Sequence, residues 1–249
     1  MRFHTAEAIL LDVVDLHDRD RIVTFLTREQ GKKKGVARGA RRKYSRFAGQ
    51  LQPLAKVQIT WFEKEGRELG RVTAVELLRP AHRLQADLEG ILLGAYLADH
   101  LLEFAQEDEA SEHLYRLLDT TLEALLAGAD RDLAARYYEA WVLRLAGIFP
   151  PPRECPLCGR PLRTAVLPVA GEGLVCADCA GGERGVAVGE GALEFLRRTA
   201  REDLPTLQRR PPAAAVLREV EELTARVRRA FLHRELRSYD VIRQMREVR

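Results

Sequence analysis

The sequence predicts an α+β protein of several domains, with a small N-terminal β-barrel followed by helices. Three observations support this fold class. About five short strands are predicted within residues 1–79, which suits a closed barrel better than an open sheet. Leucines at helical spacing dominate from Pro80 onward. Two Cys-x-x-Cys pairs then interrupt the helical pattern, which predicts a separate insert.

The barrel strands are predicted from period-two alternation of apolar residues and from runs rich in β-branched and aromatic residues. The runs are centred on Ile9–Val14, Arg21–Thr27, Gly35–Gly39, Val57–Phe62 and Val72–Val75. Turns are expected at Gln30–Lys32 and at Lys64–Gly66. Five short strands in this order favour a five-stranded barrel of the OB type.

The helices are predicted from apolar stripes and from residues that favour helix ends. Ser111 is a good N-cap for a helix that ends at Gly128, and Asp130 or Asp132 begins the next one, which Gly147 ends. Apolar periodicity returns near Leu193 and Val216. We therefore divide the chain into a barrel domain (1–79), a first helical part (80–152), an insert (153–185) and a second helical part (186–249).

The insert contains the only four cysteines of the chain, Cys155, Cys158, Cys176 and Cys179. Two Cys-x-x-Cys pairs with 17 residues between them have the spacing of a structural zinc site. Four cysteines fill the coordination sphere of Zn²⁺ and leave no open position for catalysis. Two disulfides, or one redox-active pair, are the alternatives. We expect one structural Zn²⁺ per chain, held in a zinc-finger insert with four cysteine ligands.

Composition places few limits on function, but it argues against export and a membrane location. The chain has 249 residues, 46% of them hydrophobic and 31% charged, with a net charge of +3. The N-terminus lacks the pattern of a signal peptide, and no apolar run has the length of a membrane span. We therefore expect a cytoplasmic protein without a membrane partner.

The positive charge is concentrated in one segment, and this indicates a polyanion site. No acidic residue interrupts residues 32–46. OB barrels bind single strands along one face and its loops, so the bases are expected to contact phosphates and the tyrosine to stack on a base. The candidate nucleic-acid-binding residues are Lys32, Lys33, Lys34, Arg38, Arg41, Arg42, Lys43, Tyr44 and Arg46.

No catalytic motif stands out. The acids between Asp12 and Asp20 could support metal-dependent nuclease chemistry, but a polar turn between strands explains them more simply. The six histidines are scattered, and there is no phosphate-binding Gly-rich loop with Lys. Catalytic residues are therefore predicted to be absent. DNA and RNA both remain candidate ligands, so a zinc-ribbon RNA-binding protein or transcription factor remains an alternative.

Several segments together resemble the RecO family of bacterial recombination mediators. Residues 36–42 read Val-Ala-Arg-Gly-Ala-Arg-Arg, similar to that family's Val-Ala-Lys-Gly-Ala-Arg segment. Residues 46–53 are similar to its loop before the next strand, and residues 68–72 to its last strand. Near the end, residues 231–238 resemble its terminal Leu-x-x-Lys-x-Leu-x-Ser element. The likeness spans nearly the whole chain.

The resemblance implies more than the residues alone indicate. A protein of this kind binds single- and double-stranded DNA, anneals complementary strands, and acts in DNA repair and recombination through the RecF pathway. The implied partners are RecR, single-strand-binding protein and, indirectly, the RecA recombinase. The implied activity is not enzymatic.

Overall fold

The computed structural model describes residues 2–63, 66, 69–169 and 173–247. By their contacts, the residues group into two compact units, Met1–Leu126 with Leu236–Arg249, and Ala127–Glu235. This division differs from the four predicted segments, whose boundaries stay predictions. No helix in the described part of the chain is long and apolar enough to cross a membrane.

The first unit contains the predicted barrel. Its strands are β1 (Arg2–Leu16), β2 (Asp20–Thr27), β3 (Gly31–Ala37), β4 (Lys56–Glu63) and β5 (Gly70–Arg79). They close in the order β1-β2-β3-β5-β4, with antiparallel pairs except for the parallel pair β3–β5. The OB-like barrel is thus confirmed. The predicted turn at residues 64–66 falls mostly outside the described residues.

Apolar side chains at alternating strand positions fill the barrel. Leu10, Phe25, Ile59 and Trp61 are fully buried in this core, and the Trp61 ring meets Phe25 edge-on at 5.1 Å between centroids. Fully burying one such side chain contributes about 1.5–3 kcal/mol. The alternation of apolar residues in the sequence therefore correctly predicts which side chains lie inside the barrel.

The same unit holds α1 (Leu88–Phe104), α2 (Glu112–Leu126) and the C-terminal α8 (Arg237–Glu247), after a 3-10 turn at Leu84–Ala86. The α1 helix begins at Asp87, whose side chain accepts a hydrogen bond from the Gly90 N–H at 2.8 Å. Ser111 precedes α2 as predicted, but its hydroxyl donates to the Glu109 carbonyl instead of accepting from the helix.

The second unit holds the other helices and a two-stranded sheet. Its helices are α3 (Arg131–Leu145), α4 (Ala177–Ala180), α5 (Glu190–Thr199), α6 (Leu204–Arg209) and α7 (Ala214–Leu232), and its strands are β6 (Ala165–Pro168) and β7 (Gly185–Val188). Of the two candidate caps, Asp130 is the one that begins α3, since it accepts from the Leu133 N–H at 2.8 Å. The short α6, capped by Asp203, is not predicted from the sequence.

Candidate nucleic-acid interface and metal centre

The four cysteines come together at the ends of two tight turns. In the first turn, the Gly159 N–H donates to the Cys155 carbonyl at 2.8 Å, and the Cys155 N–H donates to the Arg160 carbonyl at 2.9 Å. Gly159 has a φ of +69°, a conformation that favours glycine. In the second turn, Cys176 precedes α4 and Cys179 lies within it. All four Sγ atoms lie within 4.8 Å of one another.

These distances fit one tetrahedral metal ion. Zn–S bonds of about 2.3 Å in a tetrahedron place the sulfurs about 3.8 Å apart, and the Sγ atoms of Cys158 and Cys176 are 3.8 Å apart. A disulfide needs about 2.05 Å, so these thiols are not paired. Within the described ranges, the cysteines are the one group of three or more candidate ligands close enough to hold a metal. The acids of residues 12–20 are not such a group.

The environment of the cysteines shifts the pKa values of their thiols in opposite directions. The pKa of Cys155 is lowered to about 6, chiefly because the Cys176 N–H hydrogen bonds to its sulfur. The pKa of Cys179 is raised to about 12 because it hydrogen bonds with the Cys158 and Cys176 sulfurs. Cations bind thiolates and not thiols, so metal uptake must displace every proton that these thiols still hold.

The basic segment of the sequence separates into two parts with different environments. Lys32, Lys33 and Lys34 lie within β3, which begins four residues earlier than the sequence predicts. Lys32 and Lys33 are buried, and the Lys32 Nζ donates to the Leu102 carbonyl at 2.5 Å. The expectation of an exposed phosphate-binding run therefore does not fit these two lysines, because their ammonium groups are used inside the fold.

Lys33 and Lys34 form ion pairs with carboxylates. The Lys33 Nζ donates to Glu63 at 2.8 Å and also to Asp108, and the Lys34 Nζ lies 2.5 Å from Glu107. Burial opposes the charge of Glu63, but hydrogen bonds from Lys33 and Trp61 outweigh it, so the pKa of Glu63 is lowered. These lysines hold the barrel to the segment that follows α1.

The rest of the basic segment forms an exposed loop of consecutive turns after β3. The exposed residues of this loop include Arg38, Arg41, Arg42, Lys43, Tyr44 and Arg46. Tyr44 is 90% exposed. Phe47, by contrast, is buried in the barrel core, and it anchors the loop there. This loop is the part of the segment that can meet a polyanion.

Arg41 is partly committed to the barrel. Its Nε lies 3.2 Å from Asp15, and its Nη1 donates to the His17 carbonyl at 2.7 Å. It therefore holds the loop against the β1–β2 turn. No ion pair links Arg38 or Arg42 to a carboxylate in the described ranges, so both guanidinium groups remain available for a ligand.

A groove of about 1310 Å³ opens beside this loop on the barrel. We call it the basic groove. Among the described residues, four arginines line it, namely Arg19, Arg38, Arg42 and Arg71, together with Phe62, Leu69 and the acids Asp18 and Asp20. Asp20 is already engaged, since it accepts from the Gly39 N–H at 2.8 Å. The described residues of the groove therefore present an excess of positive charge next to an aromatic ring.

Sequence reasoning missed three residues of this groove: Arg19, Phe62 and Arg71. Arg71 lies 29 residues beyond Arg42 in the sequence, and the parallel β3–β5 pairing brings it alongside Val36. Its guanidinium lies 5.9 Å from the centroid of the Phe62 ring, which also contacts Phe3. The sequence contained one signal for Phe62. It follows Trp61 in an alternating strand, so if Trp61 is in the core, Phe62 lies on the outer face of the barrel.

Comparisons with known proteins agree across the chain. The family model "Recombination protein O N terminal" matches residues 1–81, and "Recombination protein O C terminal" matches residues 85–240. The chain is 35% identical to DNA repair protein RecO of Anaeromyxobacter sp. (strain K) over 87% of each chain. It is 34% identical to the Roseiflexus sp. (strain RS-1) protein of the same name, over 98% of this chain and 87% of the relative.

A more distant relative, DNA repair protein RecO of Desulforamulus reducens, is 27% identical over 96% of this chain and 93% of its own. The matches therefore extend over both units and over nearly the full length of the relatives. The chain belongs to the RecO family of DNA repair and recombination proteins.

Proposed function

We propose that this protein is a non-enzymatic recombination mediator of the RecF pathway that binds single- and double-stranded DNA and anneals complementary strands. With RecR it helps to load the RecA recombinase onto DNA covered by single-strand-binding protein, in the cytoplasm. The observation that supports this most directly is the basic groove of an OB-like barrel in a chain of the RecO family.

The groove suits a DNA backbone more than a compact anion. Arg38 and Arg42 come from the exposed loop, while Arg19 and Arg71 come from a turn and a strand. Cations spread along a groove can neutralise successive phosphates, and the counterions released make binding salt-dependent. Lys43, Tyr44 and Arg46 of the loop extend this surface beyond the groove.

Annealing by such a surface requires no catalytic group. Two complementary strands repel each other through their phosphates, and a basic surface that contacts both lowers this repulsion. Base pairing then provides the driving force. We propose that Phe62 and Tyr44 stack on unpaired bases, because aromatic rings accept any base and so give binding without sequence preference.

The metal in this proposal has a structural role. One Zn²⁺ per chain would be held by Cys155, Cys158, Cys176 and Cys179, whose spacing fits its tetrahedral sulfur shell. Bound zinc supplies folding free energy to the short elements around it. It leaves no open coordination position for substrate.

The decisive experiment is an annealing assay across a salt series, with and without single-strand-binding protein. The variant Arg38→Glu/Arg42→Glu is compared with Arg83→Glu/Arg116→Glu, which makes the same charge change at exposed arginines elsewhere in the first unit. We expect only the first variant to lose annealing. Its slope of log affinity against log salt should fall by about one for each lost phosphate contact.

Other outcomes would replace the proposal. Equal loss in both variants would show that net charge matters and the groove does not. A strong preference for RNA over DNA would favour the zinc-ribbon RNA-binding alternative, and Mg²⁺-dependent cleavage of the strands would favour a nuclease.

A further inference from the structure

Arg160 lies against the sulfurs of both cysteine pairs. Its Nε donates to the Cys158 sulfur at 3.4 Å, and its Nη2 points to the Cys176 sulfur at 3.7 Å. The same Nη2 lies 2.8 Å from Asp178, which stands between the two cysteines of the second pair. One guanidinium therefore spans the two turns that form the metal centre.

The negative charge of a zinc–thiolate centre would be stabilised by a cation such as the Arg160 guanidinium. One Zn²⁺ with four thiolates has a net charge of roughly −2. The side chain of Cys158 is exposed, so this charge lies near solvent, where ligands can be protonated or attacked. Hydrogen bonds to the sulfurs withdraw part of the charge and hold each sulfur in one orientation, as outer-shell partners do in other metal sites.

We propose that Arg160 is a positioning residue of the metal centre, which holds the two cysteine pairs at one spacing and offsets the negative charge of their thiolates. This inference rests on the zinc site proposed above. The sulfur ligands cannot have this role, because they carry the negative charge that Arg160 offsets.

A plain surface ion pair would not explain the geometry. The side chains of Arg160 and Asp178 are 58% and 72% exposed, and exposed pairs of this kind contribute little to stability. Asp178 instead orients the guanidinium toward the sulfurs. The main chain of Arg160 also accepts the Cys155 N–H, but that bond survives any side-chain substitution, so the two roles can be separated.

The test compares Arg160→Gln and Arg160→Lys with the control Arg163→Gln. Arg163 is an exposed arginine three residues further along. Each full-length protein is purified with zinc, and transfer of the metal to a chromogenic chelator is timed. We expect Arg160→Gln to release zinc about 10–100-fold faster, Arg160→Lys to be intermediate, and Arg163→Gln to match the wild type.

Cobalt substitution provides a second readout. If Arg160 positions the ligands without being one, Co²⁺-loaded Arg160→Gln keeps a tetrahedral spectrum while its sulfur-to-cobalt charge-transfer bands shift. Equal release rates and spectra in Arg160→Gln and Arg163→Gln would overturn the inference. Wild-type protein that binds no stoichiometric zinc would overturn the zinc site itself, and the two failures are thus distinguishable.

Discussion

Basic residues of one segment have opposite roles in this protein. Lys33 is buried and bonded to two carboxylates, whereas Arg42 lines an open groove. Both stand in a segment without acidic residues, and the local sequence alone cannot distinguish them. What separates them is whether an acidic side chain from a distant segment lies opposite.

At Phe62, the expected role is stacking on unpaired bases. Phe62→Ala should weaken binding of single-stranded DNA by about 1–3 kcal/mol for one lost base stack and affect duplex binding less, because paired bases are not available. Phe149→Ala is the matched control. Phe149 also has an arginine over its ring, with the Arg144 guanidinium 5.2 Å from the ring centroid, but Phe149 is not part of the barrel. Fluorescence anisotropy with both DNA forms measures the difference, and equal losses for both forms would contradict this role.

At Glu63, the expected effect concerns acid stability. Its pKa is lowered in the folded state, so its stabilising contribution is complete above the unfolded pKa of about 4.3 and is lost as the pH falls through the lower, folded value. Glu63→Gln should destabilise the barrel at pH 7 and have a smaller effect below pH of about 4.

Urea denaturation of Glu63→Gln at both pH values provides the measurement. Glu76→Gln, at an exposed carboxylate of β5, serves as the control. A destabilisation of Glu63→Gln that did not change with pH would show that the charge of Glu63 contributes nothing.

At the scale of elements, β3 has different partners along one edge. Its last residues, Gly35–Ala37, pair with β5. Its beginning instead meets the segment after α1, where the Lys32 N–H donates to the Gln106 carbonyl at 3.2 Å and the Asp108 N–H donates to the Lys32 carbonyl at 3.3 Å. That segment covers an edge which would otherwise expose unpaired backbone groups.

Gly31 makes this close approach possible. It has a φ of +65°, and a Cβ there would lie 1.8 Å from the Glu109 carbonyl oxygen. Gly49→Ala, at a φ of +73° with open space around it, should cost about 1–2 kcal/mol for the backbone conformation alone. Gly31→Ala should cost more, since it also separates the segment from β3.

Thermal denaturation of the two variants isolates the contact. Hydrogen exchange at the Lys32 and Asp108 amides should become faster in Gly31→Ala only. Equal stability and exchange in the two variants would mean that the segment contributes nothing to the barrel.

At the scale of the whole molecule, the two contact units allow the effects of metal and of DNA to be separated. All four cysteines lie in the second unit, and the basic groove lies in the first. Each unit has its own buried side chains, for example Trp61 in the first and Phe195 in the second. A single two-state description is therefore not expected to hold for unfolding.

Removing zinc should destabilise the second unit and leave the first intact. Cys176→Ser should lose the metal, since three thiolates remain. We expect faster proteolysis within residues 153–185 and unchanged hydrogen exchange in the barrel strands. Mass spectrometry locates both effects. Loss of protection in the barrel on metal removal would refute this separation, and a metal-free wild type that is fully folded would refute the role of zinc.

The sequence by itself determined the features that depend on local spacing. Apolar alternation and runs of β-branched and aromatic residues predicted barrel strands, helical periodicity predicted the helices after Pro80, and the two Cys-x-x-Cys pairs predicted one cluster of four sulfurs. The strand and helix signals lie within the elements that they predict, and the cysteine signal spans only residues 155–179. The resemblance to the RecO family likewise rested on short segments, and the family comparisons confirm it.

Only the tertiary structure decided which charges are available. It placed Asp108 and Glu63 against Lys33, and Glu107 against Lys34. It also brought Arg19, Phe62 and Arg71 into the groove beside Arg42. These contacts join residues that are distant in the sequence: the β3–β5 register places Arg71 beside the groove, and the segment after α1 brings Glu107 and Asp108 to the lysines of β3. Local periodicity contains no information about that register, so the sequence could locate the basic segment but could not show which of its side chains face a ligand.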